Sequence, residues 1–367
     1  MMHSLMLRTG KQIECNLIDP DSAQIASIDL PNVKQQKTKI FRSFKKAVKL
    51  VSSIDFEKNL DSQKRFKKEL IQTGEEGGLI FKRIRKNLDL NLNKNSYLNL
   101  IVDDKTSEIP WELAILKKGT NSICKSINLS RMRVVKNQYN RWYNIDQLRR
   151  KPKALIIGIN YENDDDLNLS SPEKEADNIS HLLENAGFSV TTLIGNEASR
   201  KAIVKGLKKE VDVFHFSGHG DLSKKNDNSL IVSDGTMINS SDIGHLLGNA
   251  VSPKIVYLNA CLTSLERVNI TDGKWDPYTW ASAFLEKGSS VFIGSLWPIS
   301  DYPSSKFAER FYNELLNKDN STLGRVFRNA RIKTMKINDP YNTWLSMLLY
   351  GSSFVPLEKI IPTYPYG

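Results

Sequence analysis

The chain has 367 residues, enough for one large domain or two ordinary ones with real cores. It is 40% hydrophobic and 25% charged, with no low-complexity tract and no apolar run of membrane-spanning length. The Leu5-Met6-Leu7 patch is too short for a signal peptide, so a cytoplasmic chain without membrane association is expected. Cys15, Cys124 and Cys261 lie far apart with no metal spacing, which predicts free thiols in a reducing compartment. The net charge is +11, and residues 34–49 hold many lysines and no acid. No zinc finger, RNP-like motif or helix-turn-helix accompanies that run. It reads as a solvated face; direct nucleic-acid binding is not expected, and an acidic partner stays open.

In chain order, residues 13–17 and 24–30 alternate like strands, and Pro31 ends the second. Residues 44–51 and 60–70 have helical spacing, Gly74 to Gly78 breaks it, and residues 79–88 resume it. Tyr97 to Val102 is a buried strand, and Pro110 opens a short helix over residues 109–114. The basic stretch Arg149 to Lys153 marks the boundary between residues 1–150 and 151–367.

Beyond it, Ala154 to Ile159 is a continuous apolar strand of the parallel-sheet kind. Ser171-Pro172-Glu173 caps and starts a helix that Gly187 stops. A strand at 189–194, a helix from Ser199, and strands at 211–216, 255–259 and 290–294 follow. Helices over 303–316 and 322–337 and a last strand at 345–350 complete the chain. This alternation predicts an open, mainly parallel α/β sheet covered on both faces.

Two of these strands end in reactive side chains, one in His219-Gly220 and the next in Ala260-Cys261. Ligand sites in such sheets lie beyond the carboxyl ends of the strands. An imidazole beside a thiol is the minimum for a cysteine nucleophile and its base. The backbone N–H groups of Gly220 and Cys261 are candidates for an oxyanion hole. His215 is four residues before His219, so a metal pair is conceivable. Ser217-Gly218 is expected to turn the chain between them and no third ligand is placed, so a packed, hydrogen-bonded His215 is the better reading and no metal is expected. Gly220-Asp221 and Asp234-Gly235 are turn formers, although Asp221 adjoins His219 and could face a cleft.

These blocks resemble those of CHAT-domain proteins, caspase-like peptidases related to separases. The resemblance rests on Phe214 to Gly220, Leu230 to Gly235, Pro253 to Cys261 and Gly294 to Asp301. It extends to Ile109-Pro-Trp-Glu-Leu113 and Met347 to Gly351, spanning roughly residues 75–355. It implies a caspase-like, mainly parallel sheet with helices on both faces, preceded by a degenerate, non-catalytic α/β half. It also implies His219 as general base, Cys261 as nucleophile, and no cofactor. Carried over residue by residue, it puts the pocket for the residue before the cut at Asn160, Asn259 and the segment from Ser295 through Trp297 to Asp301. Basic-cutting relatives often have an acid where this chain has Asn259; Asp301 or Asp221 could supply the charge instead. Trp297 is either a pocket wall or ordinary packing beside Pro298, and the preferred substrate side chain stays open.

Residues 262–280 are polar and turn-rich, and in relatives the matching segment rearranges or is cut on activation, here near Arg267 or Lys274. No 34-residue repeat is visible in residues 1–150, which points to a separate activator or sensor protein. The expectation is a cysteine endopeptidase acting on one or a few proteins in prokaryotic defence or cell death. The alternatives are a silent scaffold of the same fold that binds a partner protein, and a basic nucleic-acid module.

Overall fold

A computed structural model describes residues 2–9, 13–18, 25–30, 33–107, 109–117, 119, 122–133, 150–162, 164, 167–222, 228–262, 277–317 and 319–361. They divide into two units, Met1–Val134 with Gly351–Phe354, and Val135–Tyr350 with Val355–Gly367.

The first unit opens with β1 (Met2–Thr9), β2 (Ile13–Ile18) and β3 (Ile25–Leu30). Two long helices follow, α1 (Val33–Val51) and α2 (Leu60–Asn87). Then come β4 (Tyr97–Val102), short α3 (Asp104–Ser107), a 3-10 turn at Trp111–Leu113, α4 (Ile123–Ser126) and β5 (Asn128–Arg133). The strands order as β5-β4-β1-β2-β3; β5, β4 and β1 run parallel and β1-β2-β3 is an antiparallel meander. Strands β1 and β5 were not anticipated. The Leu5-Met6-Leu7 patch is the middle of β1, with Leu5 and Leu7 fully buried. Helix α1 begins at Val33, earlier than its apolar spacing suggested, and exposes Lys34, Arg42, Lys45 and Lys49. Lys39 and Lys46 reach Glu76 and Glu69 of α2 at 3.6 and 3.8 Å.

The break expected at Gly74 to Gly78 is absent, and α2 runs unbroken through it. The glycines serve close approach. A Cβ on Gly74 would lie 2.4 Å from the Leu113 carbonyl oxygen, and one on Gly78 2.0 Å from that of Ile115. The Ile115 N–H donates to the Gly74 carbonyl at 2.8 Å. Alanine is normally about 1 kcal/mol better than glycine inside a helix. Here Gly78→Ala is expected to destabilise by about 1–3 kcal/mol through overpacking against backbone. Urea denaturation measures it, and a stabilised variant would refute this packing.

The second unit contains β6 (Lys153–Gly158), α5 (Pro172–Asn185), β7 (Ser189–Ile194), α6 (Arg200–Leu207) and β8 (Val213–Leu222). Next are β9 (Asn228–Ile231), β10 (Met237–Asn239), α7 (Ile243–Leu247), β11 (Ile255–Leu262) and α8 (Pro277–Glu286). It closes with β12 (Val291–Ser295), α9 (Asp301–Leu316), α10 (Leu323–Thr334), α11 (Thr343–Ser346) and β13 (Met347–Tyr350). The sheet order is β7-β6-β8-β11-β12-β13, parallel except for β13. The β9–β10 hairpin pairs antiparallel with the end of β8.

Helices α5, α9 and α10 cover one face, where Ile179, Phe307, Phe311 and Val326 pack on Ile156, Val213, Tyr257 and Ile293. On the other face Phe214 meets Phe284 of α8, with ring centroids 6.0 Å apart. Parallel strands buried on both faces need the continuous apolar runs seen in β6, β8 and β12. The mixed α/β architecture with a mostly parallel sheet is therefore as expected.

Helix α5 starts at Pro172 and Gly187 follows its end at φ +86°, but the expected Ser171 side-chain cap is not made. Asn160 caps it instead, its Oδ1 accepting from the Glu173 N–H at 3.1 Å. The turn expected at Ser217-Gly218 is also absent, and so is one at Gly220-Asp221. Both pairs lie inside β8, which β11 and β9 hold straight by pairing on it to the end. Asp234-Gly235 does turn, with Gly235 at φ +72° and the Asp234 carboxylate accepting from the Thr236 N–H. Among the described residues no helix is long and apolar enough to cross a membrane.

Candidate active site

Register decides what comes together at the carboxyl ends of β8 and β11. These strands pair in parallel, with Tyr257 opposite His215, Asn259 opposite Ser217 and Cys261 opposite His219. Neighbouring strands are about 4.8 Å apart. The backbones of the two sequence candidates are thus register partners on adjacent strands. Gly220 follows, opposite Leu262 of β11 and Leu230 of β9, and Asp221 is opposite Ser229. Asp221 and Cys261 are placed by their backbones.

His219 is 2% exposed. Its Nε2 lies 2.6 Å from the Leu167 carbonyl oxygen. A carbonyl can only accept, so it holds the proton on Nε2 and leaves Nδ1 as the basic nitrogen. Tyr161 packs its ring on the imidazole, centroids 4.9 Å apart, and its hydroxyl accepts from the His219 backbone N–H at 3.0 Å while donating to the Ile231 carbonyl at 2.7 Å. Burial pushes the Tyr161 phenol above its ordinary range, so it stays a neutral donor. Tyr161 sits at φ +58°, a costly region for a bulky residue. Gly218 makes room for it: a Cβ there would lie 2.8 Å from the Tyr161 hydroxyl.

Burial is the largest influence on His219 and pushes its imidazole below the ordinary range. The Leu167 carbonyl, then the charges of Asp301 and Asp164, act the other way. The balance is a neutral imidazole near neutral pH, the form a base needs. Removing one carboxylate disfavours the imidazolium further. Asp301→Asn is therefore expected to lower the His219 pKa again, as read by NMR titration of the imidazole; a rise would contradict the assignment.

The loop that carries Leu167 is itself tied down. Asn160 accepts at its backbone carbonyl from the Leu169 N–H at 2.8 Å, and Asp301 accepts from the Ser170 N–H and hydroxyl at 3.0 and 2.9 Å. Both residues hold this loop, Asn160 also capping α5. Trp297 is 1% exposed, and its indole N–H donates to the Tyr341 carbonyl at 2.8 Å.

One step back along the strands from His219 and Cys261 lies a buried polar group. The Glu175 carboxylate, on α5 and 1% exposed, accepts from the Asn259 amide at 3.0 and 2.8 Å and from the Ser217 hydroxyl at 3.1 Å. His215 Nε2 is 2.9 Å from Glu175 Oε1, close but off the hydrogen-bonding direction. Tyr257 and Tyr312 flank His215, and burial, then the Glu175 charge, push both phenols up. His215 is thus buried among Glu175, Tyr257 and Tyr312. Among the described residues no cluster of three or more His, Cys, Asp or Glu suits a metal.

Sequence reading missed Tyr161, Leu167 and Glu175. Leu167 acts through its backbone and carries no side-chain signal. Tyr161 had one clue, its place just beyond the carboxyl end of β6. Residues 263–276, including Arg267 and Lys274 of the supposed switch, lie outside the described residues.

By structure the chain is similar to separase in the separase–securin complex of Saccharomyces cerevisiae, with a TM-score of 0.60 and 12% identity. The alignment covers 96% of this chain and 30% of that one, so the chain spans less than a third of separase. It is also similar to gingipain R, an Arg-specific cysteine proteinase of Porphyromonas gingivalis, with a TM-score of 0.50 and 13% identity. That alignment covers 90% of this chain and 76% of gingipain R. At such identities the likeness is one of fold, the caspase-like fold of these cysteine peptidases. No curated protein sequence matches the chain. The CHAT domain model matches residues 78–352, three-quarters of the length. The chain belongs to the CHAT domain family.

Proposed function

We propose that this protein is a cysteine endopeptidase with Cys261 as nucleophile and His219 as its base. The observation that carries this reading is the β8–β11 register, which makes these two residues partners while the Leu167 carbonyl orients the imidazole. In the reaction Nδ1 takes the thiol proton and the sulfur attacks the carbonyl carbon of the scissile amide. The resulting oxyanion is held by the backbone N–H groups of Gly220 and Cys261. Collapse breaks the carbon–nitrogen bond, and the imidazolium protonates the leaving amine. Water, deprotonated by the same imidazole, then hydrolyses the thioester and restores the thiol.

No step in this scheme calls for a metal or cofactor. The depth of His219 supports a resting state that a partner or substrate must open, in line with a separate activator. Family resemblance supports a role in prokaryotic defence or cell death, acting on one specific protein.

The test is to incubate wild type and Cys261→Ala with products of neighbouring genes and look for fragments. Cutting by the wild type alone is the expected result. Persistent cutting by the alanine variant would remove Cys261 from the mechanism. A silent scaffold would bind a partner and cut nothing even with Cys261 intact.

A further inference from the structure

Positive charge is concentrated in one part of the molecule. Residues 33–87, which form the α1–α2 hairpin, hold 16 Lys and Arg against 6 Asp and Glu, or +10 of the chain's +11. The acids lie in α2 and in the turn before it, and α1 has none. On α1 the side chains of Lys34, Arg42, Lys45 and Lys49 are exposed. At 3.6 residues per turn they fall within about 80° of arc, opposite the buried Ile40, Ser43, Ala47 and Val51. The row they make is about 22 Å long.

An ordinary solvated face interleaves both signs, as α2 does. This row breaks local electrostatic rules instead. Arg42 and Lys45 are at i,i+3 and Lys45 and Lys49 at i,i+4, spacings at which like charges repel. Lys34 is in the first turn, at the positive end of the helix dipole, and no acid there offsets it. Lys39 and Lys46 lie to a different side, toward Glu76 and Glu69 of α2. The four residues of the row form no ion pair among the described residues. In the turn that α1 runs into, Ile54 is 81% exposed, and Leu60 at the start of α2 is 70% exposed.

We propose that this row is a docking surface for an acidic segment of a partner protein, whose carboxylates meet Lys34, Arg42, Lys45 and Lys49 and whose apolar side chains cover Ile54 and Leu60. An excess of one sign, kept at a cost to the helix, is relieved when the opposite sign arrives. The aliphatic side chains beyond the row favour a protein over nucleic acid, whose phosphate backbone offers them no apolar surface. Phe56, Phe66 and Phe81 of the hairpin are buried and give bases no stacking platform. A membrane fits less well, because the apolar side of α1 is turned into the protein rather than left free to insert. Docking here is independent of the chemistry at Cys261.

The experiment uses full-length protein and fluorescence anisotropy of a labelled Glu-rich helical peptide ending in two leucines, its Gln counterpart, and a DNA duplex. Phosphatidylserine vesicles are tested by co-sedimentation. Salt is held near 0.1 M, where charges more than about 10 Å apart are largely screened. The Glu peptide is expected to bind at least about 10-fold tighter than the Gln peptide, from several weak surface pairs acting together. Arg42→Glu/Lys45→Glu should erase that difference. Lys201→Glu/Lys205→Glu, an equal change of net charge at exposed positions of α6, should leave it within about 2-fold. Ile54→Ser should weaken binding of both peptides several-fold, by removing apolar contact.

Equal binding of the two peptides, or equal loss in the two reversal variants, overturns the proposal. So does tighter binding of the duplex or the vesicles than of the Glu peptide, if Arg42→Glu/Lys45→Glu abolishes it, since the row then serves nucleic acid or membrane. Urea denaturation controls for folding. The α1 variant places Glu four residues before Lys46 and Lys49, so it is expected to be at least as stable as wild type. A lower midpoint would make the row a structural element rather than a docking surface.

Discussion

Replacing His219 with alanine is expected to slow cutting of a protein substrate at least about 10³-fold, the upper range for loss of a positioned general base. In the proposed mechanism the loss belongs in kcat, because there the imidazole acts on the thiol proton and the leaving amine and touches no recognition element. The double variant His219→Ala/Cys261→Ala should be no slower than Cys261→Ala alone, since base and nucleophile act as one unit. Single-turnover kinetics with excess enzyme separates this from weaker binding. A loss confined to KM would mean that His219 binds substrate rather than moving a proton. Circular dichroism controls for folding, because His219 is buried and its ring packs on Tyr161.

The second large effect lies in the first unit. Arg131 is fully buried and donates from Nε and Nη2 to the two oxygens of Glu112, at 2.8 and 2.5 Å. Nη1 also donates to the Ser107 carbonyl and Nη2 to the Ile109 carbonyl. Glu112→Ala leaves a guanidinium charge in the interior without its counter-ion. Breaking a buried pair from one side costs about 3–5 kcal/mol. That is a large share of the 5–15 kcal/mol that typically separates folded from unfolded. A loss of stability of that size is expected, read from urea denaturation. Simultaneous replacement of both residues by apolar ones of similar volume should cost much less, since two buried charges are removed together. Equal losses in the single and double variants would show that the pair contributes shape rather than charge compensation.

The Trp-Glu of residues 111–112 was visible in the sequence as part of a family block, but its purpose was not. Glu112 could not be matched to Arg131, nineteen residues on, because any surface arginine would look the same in a linear reading. A comparable gap explains α2. Three glycines in five residues have low helix propensity, so a break was the local expectation. Only the chain at residues 113–115, lying against that face, shows why side chains are missing there.

For the second unit the legible part was large. Continuous apolar runs marked the strands of the sheet, and a period of 3.6 with Pro172 and Gly187 at its ends marked α5. His219 and Cys261 stood out because reactive residues followed such runs. That they would be register partners was open, since a shift of one residue would have put them on opposite faces. The straight course of β8 through Ser217-Gly218 and Gly220-Asp221 was likewise not local; pairing on β11 and β9 overrides turn propensity.

By itself, then, the sequence determined the α/β class and the order of most elements of the second unit, and it singled out the two residues on which the proposed function rests. Hydrophobic periodicity and strand-end chemistry are written in neighbouring positions, so they can be read without coordinates. Tertiary structure alone decided the Leu167 carbonyl on His219, the Tyr161 brace, the Asn160 cap and the Glu175–Asn259 bond. Each joins groups that are distant in sequence, and one acts through a main-chain oxygen that every residue type possesses. Such partnerships are selected by the packed geometry of strands and helices, which no local pattern specifies.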